Sequence, residues 1–224
     1  VIAMDKLRVV VGQENAAKVN PGDYVYFGTK FQELGDAIAA KALDDRVGCA
    51  NLIWLLKHAP QNLDFYGVFI VQEELGLRGA KVAAHQIKPD LAFAFDTTPA
   101  IDPPFLDEDE VNAQYNTKAG QGPAIYTVDR GQFHNIKIIK FIQKTAERHG
   151  IPYQLRQPGG GGTDSTAIHL TAEGILSQSV SVPVRYLHTP CGVMKVSDWE
   201  ATLNLLDKLF KKITPELVKE FSIK

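Results

Sequence analysis

The sequence has little cysteine, almost no net charge and no long apolar run. Its two cysteines, Cys49 and Cys191, are too few for a disulfide framework. Cys49 lies in an apolar helical pattern, which predicts a buried free thiol in a reducing compartment and therefore a cytoplasmic protein. No run approaches the roughly 20 apolar residues that cross a bilayer, and no secretory signal pattern is visible. A formal charge of −2 over 224 residues gives no electrostatic footprint for nucleic acid or an anionic membrane.

Strand-like and helix-like patterns alternate along the chain. Short β-prone or continuously apolar runs occupy 7–11, 23–27, 65–71, 91–95 and 180–184. Helical patterns begin at Asp45, Gly79, Asn135 and Ser197. This alternation predicts an α/β fold, a three-layer domain with a mixed central sheet and helices on both faces. In such sheets, functional sites gather at the carboxyl ends of the strands.

Acidic residues or a histidine occur at four expected strand ends. These short motifs occupy 42–46, 71–76, 95–97 and 185–188. Carboxylates and an imidazole brought together at one sheet edge are the ligands that a hard or borderline divalent metal needs. A second carboxylate beside a ligand can serve as a general base. The pattern therefore predicts a metallohydrolase, although only one histidine belongs to these motifs.

The paired acids in two of these motifs have different alternatives. Asp44 and Asp45 precede a helix. One interpretation is that they cap this helix. In the functional interpretation, Asp44 bridges two metals and Asp45 orients a neighbouring residue. Glu73 and Glu74 follow a buried apolar run, where unpaired charge is costly. Neighbouring side chains on extended backbone point in opposite directions, so one can bind metal while the other faces the reacting water. A solvated turn before Gly76 is the alternative.

The other candidates are weaker when taken singly. Asp96 is as consistent with an Asx turn as with a metal ligand, and a lone histidine such as His188 is more often structural. Arg185 and Tyr186, just before it, add a cation and an aromatic ring for substrate contact. The glycines at 159–162 lack the Lys-Ser/Thr ending of a nucleotide loop. We interpret Gly161 and Gly162 as a flexible wall that lets backbone approach a ligand, with Asp164 capping the next helix.

Together these motifs resemble the dinuclear metallo-aminopeptidases that include the tetrahedral (TET-type) and glutamyl aminopeptidases. The similarity covers nearly the whole chain and rests on 41–46, 72–80, 95–97, 120–123, 161–164 and 183–188. It implies that Asp44 bridges two divalent metal ions, with Glu74 and His188 holding one and Asp96 the other. Zinc and cobalt suit this mixture of nitrogen and oxygen ligands.

The same resemblance implies a mechanism and a local geometry. Glu73 becomes the general base in metal-assisted hydrolysis, and the free α-amino group of the substrate coordinates the second metal. The bond between Asp44 and Asp45 is implied to be a cis peptide. The expected substrates are peptides with a free N-terminus, and the complete protein is expected to form a homo-oligomer.

One feature of the family pattern is missing from the sequence. The family places a further metal-binding histidine, in a His-x-Asp setting, upstream of an inserted β-rich domain. The chain opens at Val1 in a strand-like run, and residues 1–34 are predicted to be the C-terminal remnant of that inserted domain. Residues 35–224 are then a catalytic domain without its N-terminal segment. One metal site is expected to lack its histidine ligand.

The sequence thus predicts a metal-dependent aminopeptidase with Glu73 and Asp45 as catalytic residues. Two alternatives stay open at this point. One is a metal-dependent deacylase or carboxypeptidase on the same fold. The other is a non-catalytic fragment or assembly subunit with an incomplete metal site.

Overall fold

The computed structural model describes residues 8–103, 117–156, 158 and 161–222. Seven strands form one sheet: β1 (Gln32–Leu34), β2 (Ala37–Ala40), β3 (Leu91–Pro99), β4 (Ala124–Tyr126), β5 (Gln154–Arg156), β6 (Leu176–Arg185) and β7 (Gly192–Lys195). Their order is β1-β2-β7-β6-β4-β5, and β3 pairs with β6. β3 and β5 join their neighbours in parallel, whereas the other pairs are antiparallel. The predicted mixed sheet is confirmed.

Helices cover both faces of this sheet. They are α1 (Leu43–Lys57), α2 (Arg78–Ile87), α3 (Ile136–Arg148), α4 (Asp164–Ile168), α5 (Val196–Phe210) and α6 (Pro215–Phe221). Val180 of β6 packs in the main core with α1, α3 and α5. Its neighbour Ser179 contacts Ser165 of α4 instead, at 2.7 Å between the hydroxyl oxygens. Because successive strand residues point to opposite faces, α4 lies across the sheet from α1, α3 and α5.

The long β3–β6 pair positions the carboxyl end of β3. Its register places Phe95 beside Val180 and Asp96 beside Ser181. Phe95 packs against the main core, so Asp96 points to the face that carries α4. Because successive side chains of β3 point to opposite faces of the sheet, Phe95 belongs to the core and Asp96 is free to act as a candidate metal ligand.

Three runs predicted as strands have no strand among their described residues; Leu7, the first residue of the run 7–11, lies outside the described part of the chain. Residues 8–11 and 23–27 have no strand assignment, and a 3₁₀ helix at Gln13–Lys18 lies between them. Residues 65–71 also lack ladder pairing, and Tyr66, Phe69 and Val71 are exposed. Apolar, β-prone residues form a strand only where a neighbour supplies ladder hydrogen bonds. No strand among the described residues supplies them here. The domain boundary at residue 34 stays a prediction.

Cys49 is exposed on α1, so the prediction of a buried thiol was wrong. The helical pattern around it is weakly one-sided, and buried neighbours such as Val47 and Asn51 occupy the inner face instead. Within the described ranges, no helix is both long and apolar enough to span a bilayer.

Candidate metal centre

Asp44 and Asp45 lie where the chain turns into α1. Their backbone angles are not helical (φ −83°, ψ 110° and φ −119°, ψ 58°), and the peptide bond between them is cis, as the resemblance implied. Asp45 Oδ1 accepts a hydrogen bond from the Gly48 amide at 2.8 Å. The capping interpretation therefore holds for Asp45, whereas Asp44 stays available for other partners.

Gly48 allows α1 to approach the end of β3 closely. A β-carbon at this position would lie 2.5 Å from the carbonyl oxygen of Phe95 and would overlap the Asp45 carboxylate. Only glycine fits without a shift of backbone or side chain. This contact brings the two aspartates at the start of α1 next to Asp96, the residue after Phe95.

The first candidate metal cluster combines Asp44, Glu74 and His188. One ligand atom from each lies within 4.8 Å of the others. His188 Nε2 is 3.3 Å from Asp44 Oδ2 and 3.5 Å from Glu74 Oε2. The histidine side chain is 65% exposed and its residue has a positive φ of 56°. The cluster borders a cleft of about 200 Å³, whose lining includes Tyr186 and Gly192.

The second cluster combines Asp44, Asp45 and Asp96, again with ligand atoms within 4.8 Å of one another. Asp96 is half-buried, and its Oδ1 accepts a hydrogen bond from the Thr97 amide at 2.6 Å. Asp44 belongs to both clusters, as expected for the carboxylate predicted to bridge two metals. The donor sets, two carboxylates with one imidazole and three carboxylates, fit two divalent cations. Asp45, predicted to orient a neighbour, is itself a member of the second cluster.

The carboxylates of the site repel one another and are partly removed from water. Burial, with repulsion from Asp164, Glu74 and Asp44, raises the pKa of Glu73 from 4.5 to about 7. Burial raises the pKa of Asp45 from 3.8 to about 8, against the lowering effect of the Gly48 hydrogen bond. Burial and repulsion from Asp45 and Asp44 also raise the pKa of Asp96. Such a concentration of carboxylates is stabilised by bound cations or protons.

The chain without metal is expected to become less stable as pH rises from about 4 to about 8. In this window Asp45 is ionised in the unfolded chain but holds its proton in the folded one, since its pKa rises from 3.8 to about 8. The folded state therefore binds more protons, and stability falls as they are lost, by on the order of a few kcal/mol. Urea midpoints at pH 5 and pH 8, measured in a chelator, test this expectation.

The control for this prediction is Asp45→Asn, which removes the titrating group. Its urea midpoint should change less between the two pH values than that of the unaltered chain. Zinc added at pH 8 should restore stability, because metal ions replace the protons. A midpoint that rises with pH in the metal-free chain would contradict the assigned direction of the Asp45 pKa shift.

Of the four predicted substrate-binding residues, Tyr186 lines the cleft and the other three are not among its lining residues. Arg185 donates two hydrogen bonds to Asp102, from Nε to Oδ1 at 2.8 Å and from the guanidinium Nη2 to Oδ2 at 2.7 Å. Tyr186 is 59% exposed and has a φ of +58°. Gly161 and Gly162 are exposed before α4, and Gly161 has a φ of +88°. The Arg185 cation is thus already engaged by a carboxylate of the chain, whereas the other three face solvent.

Sequence reasoning missed two participants in the site. Asp102, the partner of Arg185, is 83 positions away in sequence, and no local pattern connects the two. Asp164 was interpreted only as a capping residue. In the structure Thr163 occupies the N-cap position of α4, and Asp164 lies near enough to Glu73 and Asp45 to raise the pKa of both. The Thr-Asp pair after a glycine run was the available signal.

Comparisons with known proteins show the family to which this chain belongs. The sequence profile of the M42 glutamyl aminopeptidase family matches residues 3–205. A putative aminopeptidase of Acetivibrio thermocellus is 41% identical over 210 residues, which are 92% of this chain and 62% of that protein. The crystal structure of a TET aminopeptidase from a marine sediment archaeon of the Thaumarchaeota superposes with a TM-score of 0.80 at 32% identity. The match covers 87% of this chain and 55% of that one.

A second solved structure is similar over the same region. The TET1 peptidase of Pyrococcus horikoshii, which can assemble into a tetrahedron or a large octahedral shell, superposes with a TM-score of 0.72 at 30% identity. This match covers 89% of the present chain and 58% of the peptidase. The chain thus spans less than two thirds of the length of each of these three proteins. With the profile match over most of its sequence, the chain belongs to the M42 glutamyl aminopeptidase family.

Proposed function

We propose that the protein containing this chain is a two-metal aminopeptidase that removes N-terminal residues from peptides. The observation that carries the proposal is the shared position of Asp44, which belongs to both candidate metal clusters. Glu73, next to Glu74 in the chain, has a pKa raised to about 7. A bridging carboxylate beside a carboxyl group of near-neutral pKa is an arrangement suited to hydrolysis.

Each of the two metals has its own set of ligands in this proposal. Asp44, Glu74 and His188 hold one ion, and Asp44 with Asp96 holds the other. Zinc or cobalt suits these ligands. When bound, the ions supply Lewis acidity that polarises the scissile carbonyl and favours ionisation of the attacking water. The second site has no imidazole ligand, so we expect the two ions to bind with different affinities.

Glu73 is the general base in the proposed reaction. A carboxylate with a pKa near 7 can take a proton from the attacking water and later donate it to the leaving amine at neutral pH. Asp45 acts beside it as the second catalytic carboxylate. Its hydrogen bond from Gly48 holds it at the start of α1, where it orients its neighbours in the site.

Tyr186, Gly161, Gly162 and Arg185 are the proposed substrate contacts. Tyr186 offers an exposed ring, and Gly161 and Gly162 let the peptide backbone approach closely. Arg185 is paired with Asp102, so its guanidinium presents a fixed edge to the substrate and not a freely moving charge.

Peptides with free and N-acetylated termini separate the proposed function from its enzymatic rival. An aminopeptidase loaded with zinc or cobalt should release the first residue of a free peptide and leave the acetylated peptide intact. A deacylase or carboxypeptidase would cleave the acetylated peptide, which would contradict the proposal. Heat-denatured protein with the same metal is the control for cleavage by the ion alone.

The non-catalytic alternative is tested by metal analysis. Two metal ions per chain in the isolated 224-residue protein would remove the premise of an incomplete site, whereas one or none would favour this alternative. The TET1 peptidase of Pyrococcus horikoshii can assemble into a tetrahedron or a large octahedral shell. We therefore propose a homo-oligomeric complete protein, with residues 1–34 as the end of an inserted domain. Free Cys49 and Cys191 support a cytoplasmic location.

A further inference from the structure

Asp164 is a carboxylate near the proposed site that neither candidate metal cluster includes. It is the first residue of α4, and its Oδ1 is buried without a hydrogen-bond partner in the described part of the chain. The ion pairs found among those residues do not involve it either. A buried carboxylate oxygen without a donor is costly. A donor or cation from outside the chain would remove this cost.

Asp164 lies close to the carboxylates of the proposed site. α4 packs against β3, which carries Asp96, and against α2, which follows Glu73 and Glu74 in the chain. Asp96 points to the same face of the sheet as α4. The charge of Asp164 also acts on Glu73 and Asp45. The unpartnered oxygen therefore belongs to a residue that neighbours the proposed general base.

The backbone that carries Asp164 is held on both sides. The hydroxyl of Thr163 is buried and bonds those of Ser165, at 3.1 Å, and Ser179. On the other side, Thr166 donates a hydrogen bond to Asp129 at 2.8 Å. A carboxylate fixed in this way is preorganised to receive a ligand, because little freedom is lost on binding.

We propose that Asp164 receives the free α-amino group of the substrate and is a specificity-determining residue for N-terminal cleavage. This inference rests on the proposed function. A free amino terminus brings a positive charge and several N–H donors, and it retains N–H donors when its lone pair coordinates a metal. An acetylated terminus or an internal peptide bond has one neutral N–H. Such a substrate would leave the buried oxygen of Asp164 poorly satisfied, which opposes its binding.

Binding measurements in a catalytically inactive background test the inference. Trialanine and its des-amino analogue, propionyl-dialanine, are titrated calorimetrically into the zinc-loaded chain carrying Glu73→Gln, with and without Asp164→Asn. Loss of the carboxylate should weaken trialanine binding by about ten- to hundredfold, as for a charge-assisted hydrogen bond, and leave the analogue unchanged. Asp164→Glu should restore part of the trialanine affinity. Equal weakening for both ligands, or no weakening, would overturn the proposal.

Two controls make this test specific. Asp90→Asn removes the same charge from an exposed residue just before β3, at the opposite end of that strand from Asp96, and should change neither affinity. Lysyl-dialanine separates the α-amino group from a side-chain ammonium. If Asp164→Asn weakened only this ligand and not trialanine, the carboxylate would recognise a basic side chain and the inference would fail. Since no turnover is needed, failure of the proposed function would show separately, as an unaltered chain that cleaves no free peptide.

Discussion

Replacing Glu73 by glutamine is expected to lower kcat for peptide hydrolysis by about 10²- to 10⁴-fold, the usual contribution of a general base. Glutamine keeps the shape and polarity of the side chain but cannot accept the proton of the attacking water. Glu73 belongs to neither metal cluster, so metal content should not change. Steady-state kinetics with a free peptide, together with metal analysis of the same sample, checks both parts of this expectation.

The matched control for this variant is Glu173→Gln. Glu173 is exposed in the turn between α4 and β6, and its replacement should leave kcat unaltered. The pH profile adds a second check, because the low-pH limb of kcat/KM should reflect ionisation of the base in the free enzyme. If Glu73→Gln hydrolysed free peptides at the normal rate, the assignment of the base would be wrong.

Replacing Asp44 by asparagine is expected to weaken the binding of both metal ions by more than about 100-fold. Loss of an outer partner of a metal ligand already costs about 10- to 100-fold in affinity, and Asp44 is proposed as a direct ligand because both candidate clusters include it. Calorimetric titration of zinc into the chelator-treated chain measures both affinities. The other carboxylates would also lose the cation that offsets their repulsion.

Single-site variants give this prediction its internal control. His188→Ala should weaken the binding of one ion, and Asp96→Asn should weaken the binding of the other. Only Asp44→Asn should weaken the binding of both ions. Asp90→Asn, remote from the site, should weaken neither. If the loss of Asp44 affected one ion only, this residue would be a terminal ligand and not a bridge.

The architecture and several site residues were predictable because their signals are local. Alternating strands and helices predicted the mixed sheet, and paired acids at Asp44–Asp45 and Glu73–Glu74 indicated the site. The strand predicted at 65–71 was wrong, because a strand needs a neighbour and the apolar run itself contains no information about one. The burial of Cys49 was predicted wrongly for a related reason. The apolar pattern of α1 is only weakly one-sided, so it did not identify which face of the helix packs inward.

The finer geometry depends on contacts between distant parts of the chain. The Arg185–Asp102 ion pair joins β6 to a residue that follows β3. The role of Asp45 depends on the close approach of Gly48 to Phe95. Asp164 is a candidate for substrate recognition because its Oδ1 is buried without a donor and its charge acts on Glu73. None of these relations has a fixed spacing in sequence, so pattern reasoning could identify the residues but not their partners.

Anomalous diffraction from crystals grown with zinc tests the central claim most directly. The account predicts two zinc peaks about 3.5–4 Å apart, with Asp44 contributing an oxygen to each at about 2.0–2.2 Å. One peak should be ligated by Glu74 and His188, and the other by Asp96. A single peak, or peaks that do not share Asp44, would contradict the two-metal site.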